Sequence, residues 1–203
     1  PLLSIPGRLG TRPDSIPENI PYLFSDADKC AVWKEKTKSP GIKIGINWAG
    51  NKSHVNDRNR SCSLDRFNWL QDVSCISLFS LQLPVTPAEE TQLNKLGAVN
   101  LGPQFNDFSD TAAVIENLDL VITVDTAVAH MAGAMGKPVW LLLPFVPDWR
   151  WLLDRTDSPW YPSTRIFRQT QSGDWQTVLE KVETQLQRHV QPAASDPPGK
   201  NNC

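Results

Sequence analysis

No stretch of about 18 consecutive apolar residues occurs, so nothing in the chain reads as a membrane-spanning helix. An excess of one charge is also missing. The 20 Lys and Arg residues against 22 Asp and Glu leave a net charge of −2, too weak a field to draw the chain to nucleic acid or to anionic lipid. Cysteine is sparse. Cys30, Cys62, Cys75 and Cys203 form no C-x-x-C pair and no disulfide framework, and reduced thiols in a cytoplasmic protein are the expectation. The three histidines are scattered with no H-x-x-x-H pair, which leaves no metal signal; no metal and no cofactor is expected. G-x-G-x-x-G, G-x-x-x-x-G-K-[ST] and G-x-S-x-G are all absent, which weakens dehydrogenase, P-loop and serine-hydrolase readings. No internal repeat is visible. The chain opens on Pro1 with no charged-then-apolar leader, and it reads as a piece of something longer.

What is present is an ordinary globular composition. Of 203 residues, 40% are hydrophobic and 21% charged, enough for one α/β domain with extensions. Residues 1–40 carry six prolines and read as an extended connector, with a short helix from Asp26 to Lys36. Residues 41–190 form the domain. Residues 191–203 read as a disordered tail.

Within the domain, strand and helix signals alternate. Strands are expected at Ile42–Trp48, Cys75–Gln82, Ala98–Leu101, Leu120–Val124, Val139–Leu143 and Arg165–Arg168, the last at an edge. Helices are expected near Leu64–Gln71 and after the capping box Thr86-Pro87-Ala88-Glu89. Further helices follow Ser109-Asp110-Thr111, Asp125-Thr126 and Asp174 as caps. Such alternation implies a doubly wound, mainly parallel sheet, a Rossmann-like α/β fold. With the common strand order 3-2-1-4-5-6, the first and fourth strands are neighbours, and the ligand crevice opens at their carboxyl ends.

Three clusters converge there. After strand four comes Asp125-Thr126-Ala127-Val128-Ala129-His130, opening a helix of very small residues that ends at Gly136-Lys137-Pro138. Free N–H groups and the helix dipole favour an anion at its start, and Thr126 and His130 share a face. Asp125 also suits a plain N-cap, and His130 a half-buried structural histidine. After strand one, Gly50 allows close backbone approach beside Asn51, while Lys52, Arg58 and Arg60 bring charge suited to a diphosphate. A solvated surface loop is the alternative. After strand five, Trp149 and Arg150 lie in a proline-stiffened aromatic segment. One or two of Trp149, Trp151 and Trp160 are expected to face the crevice, the others pinning the loop.

The blocks Trp48-Ala-Gly-Asn, Asn56-Asp-Arg-Asn-Arg-Ser, Leu118 to Trp140, Pro147-Asp-Trp-Arg-Trp and Asp157-Ser-Pro-Trp-Tyr-Pro resemble the carboxyl-terminal half of bacterial GT-B glycosyltransferases. The resemblance is to relatives of the lipopolysaccharide heptosyltransferases, of the kind fused to tetratricopeptide repeats. It implies a donor domain that binds a nucleotide diphosphate sugar for metal-independent, inverting transfer. It also implies an amino-terminal domain, with tetratricopeptide repeats as a partner, that carries the acceptor and the base, so the catalytic residue stays unknown. The heptosyltransferase pattern Asp-Thr-Gly-x-x-His falls on Asp125, Thr126, Ala127 and His130, with Ala127 standing where those relatives have glycine. Gly50, Asn51, Arg58, Arg60, Trp149 and Arg150 complete the expected donor site. A non-catalytic nucleotide-binding or scaffold module is the alternative.

Overall fold

The computed structural model describes residues 4–12, 14–17 and 19–190, so the tail expected at 191–203 lies outside the described residues. Helices α1 (Ile5–Arg8) and α2 (Ala27–Lys36) precede the first strand. There follow β1 (Ile42–Asn47), α3 (Asp57–Arg60), β2 (Ile76–Ser80), α4 (Pro87–Lys95), β3 (Val99–Asn100), α5 (Phe108–Glu116), β4 (Leu120–Val124), α6 (Ala127–Ala134), β5 (Val139–Leu143), β6 (Thr164–Arg168) and α7 (Trp175–Val190). The strands form one six-stranded sheet in the order β3-β2-β1-β4-β5-β6, parallel at every pairing. This is the expected Rossmann-like architecture, with β1 and β4 side by side and Ile44 paired to Leu120.

Alternation along the strands divides the core between the two faces. Ile44, Ile46, Leu120, Ile122 and Val124 pack with Val178, Leu179 and Val182 of α7 and Leu93 of α4. Phe79, Val121, Val139 and Leu141 pack on the other face with Trp33 of α2, Val114 of α5 and Ala129 and Ala132 of α6. The helix at 26–36 therefore shares the core of the sheet. A 3₁₀ segment, Leu64–Asp72, stands where a short helix was expected.

Local chemistry decides the element ends. Thr86 and Glu89 form the reciprocal capping box at α4. The Asp174 carboxylate accepts from the Thr177 N–H at the start of α7. At α5 the cap lies upstream of the expected Ser109-Asp110-Thr111. Asp107 holds extended backbone, and its side chain accepts from the N–H groups of Ser109 and Asp110. β2 begins at Ile76 because Cys75 takes a positive φ of 63°, incompatible with a strand. Gly136, at φ 73°, ends α6 in the left-handed conformation.

Candidate functional site

β1 and β4 run into the crevice side by side, and a buried polar network joins their ends. Asn47, the last residue of β1, donates from Nδ2 to Gln82 Oε1 at 2.8 Å. Its Oδ1 accepts from the hydroxyls of Thr123, at 3.1 Å, and Thr126, at 2.8 Å. Gln82 Oε1 also accepts from the Ala49 N–H. These hydrogen bonds tie the strand ends to one another and fix the turns that follow them.

Of the two expected caps, Thr126 is the N-cap of α6, and its side chain makes no capping bond because its hydroxyl serves Asn47. The amides of Ala127 and Val128 have no acceptor among the described residues, so the helix presents free donors to the crevice. Ala127 is exposed there and contributes only a methyl group.

The Asp125 side chain is free of the cap and turns to His130, with Oδ1 3.7 Å from Nε2. Burial pushes the pKa of Asp125 above its ordinary carboxylate value, opposed by the neighbouring Trp151 indole and by His130. Burial likewise lowers His130 below its ordinary value, opposed by Asp125. The Trp151 N–H favours the Asp125 anion but makes no hydrogen bond among the described residues. His130 stacks on Trp151 with ring centres 5.0 Å apart and planes 20° from parallel.

Arg60 ties the two turns together. Its Nη1 donates to the Asp125 carbonyl at 3.0 Å and its Nε to Asp57 Oδ1 at 3.3 Å. Gly50 is what admits it, since a Cβ at Gly50 would lie 2.3 Å from Arg60 Nη2. Asp57, buried, also accepts from the Ser61 hydroxyl. Asn51 is exposed and caps its own loop, accepting from the N–H and hydroxyl of Ser53. Arg58 is exposed on α3 and lines neither of the cavities described next.

Two cavities meet along a shared wall of Arg60, Thr126 and Ala127. One, about 530 Å³, is walled largely by Leu81, Leu83, Phe105, Phe108 and Val128, and Asn47, Gly50 and Asn51 also line it. The other, about 740 Å³, is polar and holds Asp125, His130, Asp148 and Arg150, with Trp149 at its side. Arg150 Nη1 donates to Asp148 Oδ1 at 2.8 Å, and its guanidinium lies over the Trp149 ring. Of the three candidate tryptophans, Trp149 faces this cavity. Trp151 is fully buried beneath His130, and Trp160 donates from its indole to the Arg150 carbonyl, pinning the loop.

The structure thus brings Gly50, Asn51, Arg60, Asp125, Thr126, Ala127, His130, Trp149 and Arg150 to one crevice and leaves Arg58 outside it. Sequence reasoning missed Asn47, Gln82, Phe105, Phe108 and Tyr161. Asn47 and Gln82 carry a legible signal, polar residues closing otherwise apolar strands. Phe105 and Phe108 sit in a connection whose fold nothing local announces. Among the described residues, no three His, Cys, Asp or Glu side chains come together as metal ligands.

Comparison with known proteins bears on the fold. A family model for glycosyltransferase family 9 (heptosyltransferase) matches residues 86–143, which include Asp125, Thr126 and His130. Protein FlbA of Caulobacter vibrioides is 28% identical over 183 residues, covering 85% of this chain and 30% of FlbA. Among solved structures, Escherichia coli ADP-heptose lps heptosyltransferase II superposes with a TM-score of 0.56 at 15% identity, over 87% of this chain and 57% of that one. E. coli heptosyltransferase WaaC, solved with ADP-2-deoxy-2-fluoro heptose, gives 0.53 at 14% identity over 87% and 52%. The glycosyl transferase family 9 structure from Veillonella parvula gives 0.53 at 12% identity over 89% and 52%. The fold is that of the heptosyltransferases, and the chain spans between 52% and 57% of the length of these three solved relatives.

Proposed function

We propose that this crevice binds a nucleotide diphosphate sugar as the donor of a glycosyl transfer reaction. The observation that carries the reading is the meeting of two cavities of opposite character over one helix start with free amides. The apolar cavity, with Phe105 and Phe108, suits a nucleoside, whose base stacks on aromatic rings. The free amides of Ala127 and Val128, with Arg60 beside them, suit the diphosphate. The polar cavity, with Asp125, His130 and Asp148, suits sugar hydroxyls. WaaC, a structural neighbour, has been solved with ADP and with an ADP-sugar analogue, which supports the choice of donor class.

In the reaction proposed, an acceptor hydroxyl attacks the anomeric carbon as the bond to phosphate breaks and the nucleoside diphosphate departs. The developing negative charge on the leaving diphosphate falls at the α6 amides and Arg60, where fixed dipoles stabilise it without reorganisation. In this reading the reaction needs no metal, and the acceptor and its base come from outside the described residues, as the resemblance implies. Calorimetric titration of the 203-residue chain with ADP, adenosine and ADP-heptose tests the reading. ADP is expected to bind more tightly than adenosine, and the sugar conjugate at least as tightly as ADP. Binding of none of the three would return the crevice to a scaffold role.

A further inference from the structure

His130 sits in a cage that specifies both its orientation and its proton. Below the ring lies Trp151, stacked and fully buried. At one edge, Nδ1 is 3.1 Å from the Tyr161 hydroxyl. At the other, Nε2 points to Asp125 Oδ1 at 3.7 Å and makes no hydrogen bond among the described residues. Tyr161 is itself held firmly. Its N–H donates to the buried Ser158 hydroxyl, its carbonyl accepts from Thr164, and its ring packs where a side chain on Gly133 would stand, 2.4 Å from an ideal Cβ. The absence of a side chain at Gly133 thus lets Tyr161 reach along α6 to His130, one turn earlier on the same helix.

We propose that Tyr161 is a positioning residue that holds His130 as a neutral Nε2–H donor aimed into the crevice, and thereby bars His130 from serving as a base. A neutral imidazole carries one proton. With the proton on Nδ1, the bare Nε2 lone pair would face the Asp125 carboxylate across 3.7 Å, like against like. With it on Nε2, the dipole is favourable, and Nδ1 is left to accept from Tyr161. Burial, and beside it a hydrogen-bonding contact with the Tyr22 phenol, push the Tyr161 phenol above its ordinary value, so it keeps its proton; the Tyr161 hydroxyl lies 3.1 Å from His130 Nδ1, and donation there leaves Tyr22 to donate to the same oxygen. The groups facing the ring agree with a neutral form. Burial and Arg150 disfavour the cation, against Asp125 and Asp148. Nδ1 is then taken by Tyr161 and Nε2 carries the proton, so no imidazole lone pair faces the crevice to take another.

The consequence for substrate rests on the nucleotide-sugar reading. At 3.7 Å the Nε2–H is too far from Asp125 for a direct hydrogen bond, so donor and carboxylate stand beside each other with unused capacity. A hydroxyl group between them accepts from His130 and donates to Asp125 at once. A phosphate oxygen satisfies only the first and is repelled by the second. The pair therefore selects the sugar rather than the diphosphate.

Long-range proton–nitrogen correlation spectra of the ligand-free chain read the tautomer directly, and with only His54, His130 and His189 to assign. The expected result is a His130 ring protonated at Nε2 near neutral pH; protonation at Nδ1 would overturn the proposal, and needs no variant to be seen. Tyr161→Phe then removes the hydroxyl alone. Its His130 signals should move toward averaged tautomers, and ADP-heptose should bind roughly 3- to 10-fold more weakly, the worth of one hydrogen bond, with ADP unchanged. Unaltered spectra and affinity in that variant would deny Tyr161 a positioning role. Failure of the wild-type chain to bind ADP-heptose would count against the donor reading alone and leave the spectral test standing.

Discussion

Asp125 shows how one side chain changes meaning between sequence and structure. By position it is a good helix cap, yet Thr126 occupies that place, and the carboxylate is left half-buried against His130 and Trp151. A group whose neutral form is favoured by burial contributes nothing to stability as an anion, so Asp125→Asn should leave the melting temperature unchanged or raise it. Binding should separate by ligand. The amide keeps one acceptor and adds a donor, so ADP-heptose affinity should fall about 10-fold or more, as for losing a hydrogen bond to a charged group. ADP affinity should hold or rise, because a negative charge beside the phosphate site is gone. Paired titrations decide the matter, and equal affinities for the sugar conjugate in both proteins would leave Asp125 without a role in recognition. Arg60 is a second case. Its charge invited a purely ligand-binding role, whereas its guanidinium also clamps the Asp125 carbonyl to Asp57.

At the scale of elements, helix propensity and packing conflict in α6. Glycine inside a helix ordinarily costs about 1 kcal/mol relative to alanine. At Gly133 the sign should reverse, because a Cβ would press on the Tyr161 ring, 2.4 Å from Cγ, in a region with no slack. Gly133→Ala should therefore lower the melting temperature and disturb the His130 spectrum, whereas a rise in stability would mean that Tyr161 relaxes freely. The union of α2 and α5 is electrostatic where it meets solvent. Lys29 Nζ lies 3.1 Å from Asp107 and 3.0 Å from Asp110. The Ser109 hydroxyl and Lys29 hold Asp107 down to about 2, and the Asn106 N–H and Lys29 hold Asp110 well below the usual carboxylate range. Both folded values lie below the unfolded ones. Their contribution is therefore complete above about pH 4, the ordinary carboxylate value, and is lost as the pH falls toward 2 and below. Melting curves over that range should show an acid limb that is shallower in Asp110→Asn than in the wild-type chain, and parallel limbs would remove these carboxylates from the account.

For the whole molecule, the parallel order β3-β2-β1-β4-β5-β6 matters most, because it alone brings the turns after β1 and β4 together. The anion site proposed there would rest on amides and one arginine. Titration of ADP before and after treatment with a divalent-ion chelator should give the same affinity, and a collapse on chelation would argue for a metal-bridged diphosphate. Raising salt should weaken ADP more than adenosine, since only the diphosphate exploits charge that ions screen. No helix among the described residues is long and apolar enough to cross a membrane.

The strand–helix alternation, the capping box at Thr86, the glycine stop at Gly136 and the small-residue character of α6 are local facts, and the amino-acid order alone determined them. It also indicated the sheet class, since buried parallel strands read as continuous apolar runs. Where the polar residues point was decided by tertiary structure. Asn47, Gln82 and Thr126 lie far apart in sequence, and their hydrogen bonds exist only because β1 stands between β2 and β4. The same is true of Tyr161, which meets His130 across 31 positions of chain and through a space opened by Gly133. Periodicity reports which face a residue occupies, because that depends on backbone geometry repeated every few residues. It carries no information on which distant side chain fills the space opposite, since that is set by how whole elements pack.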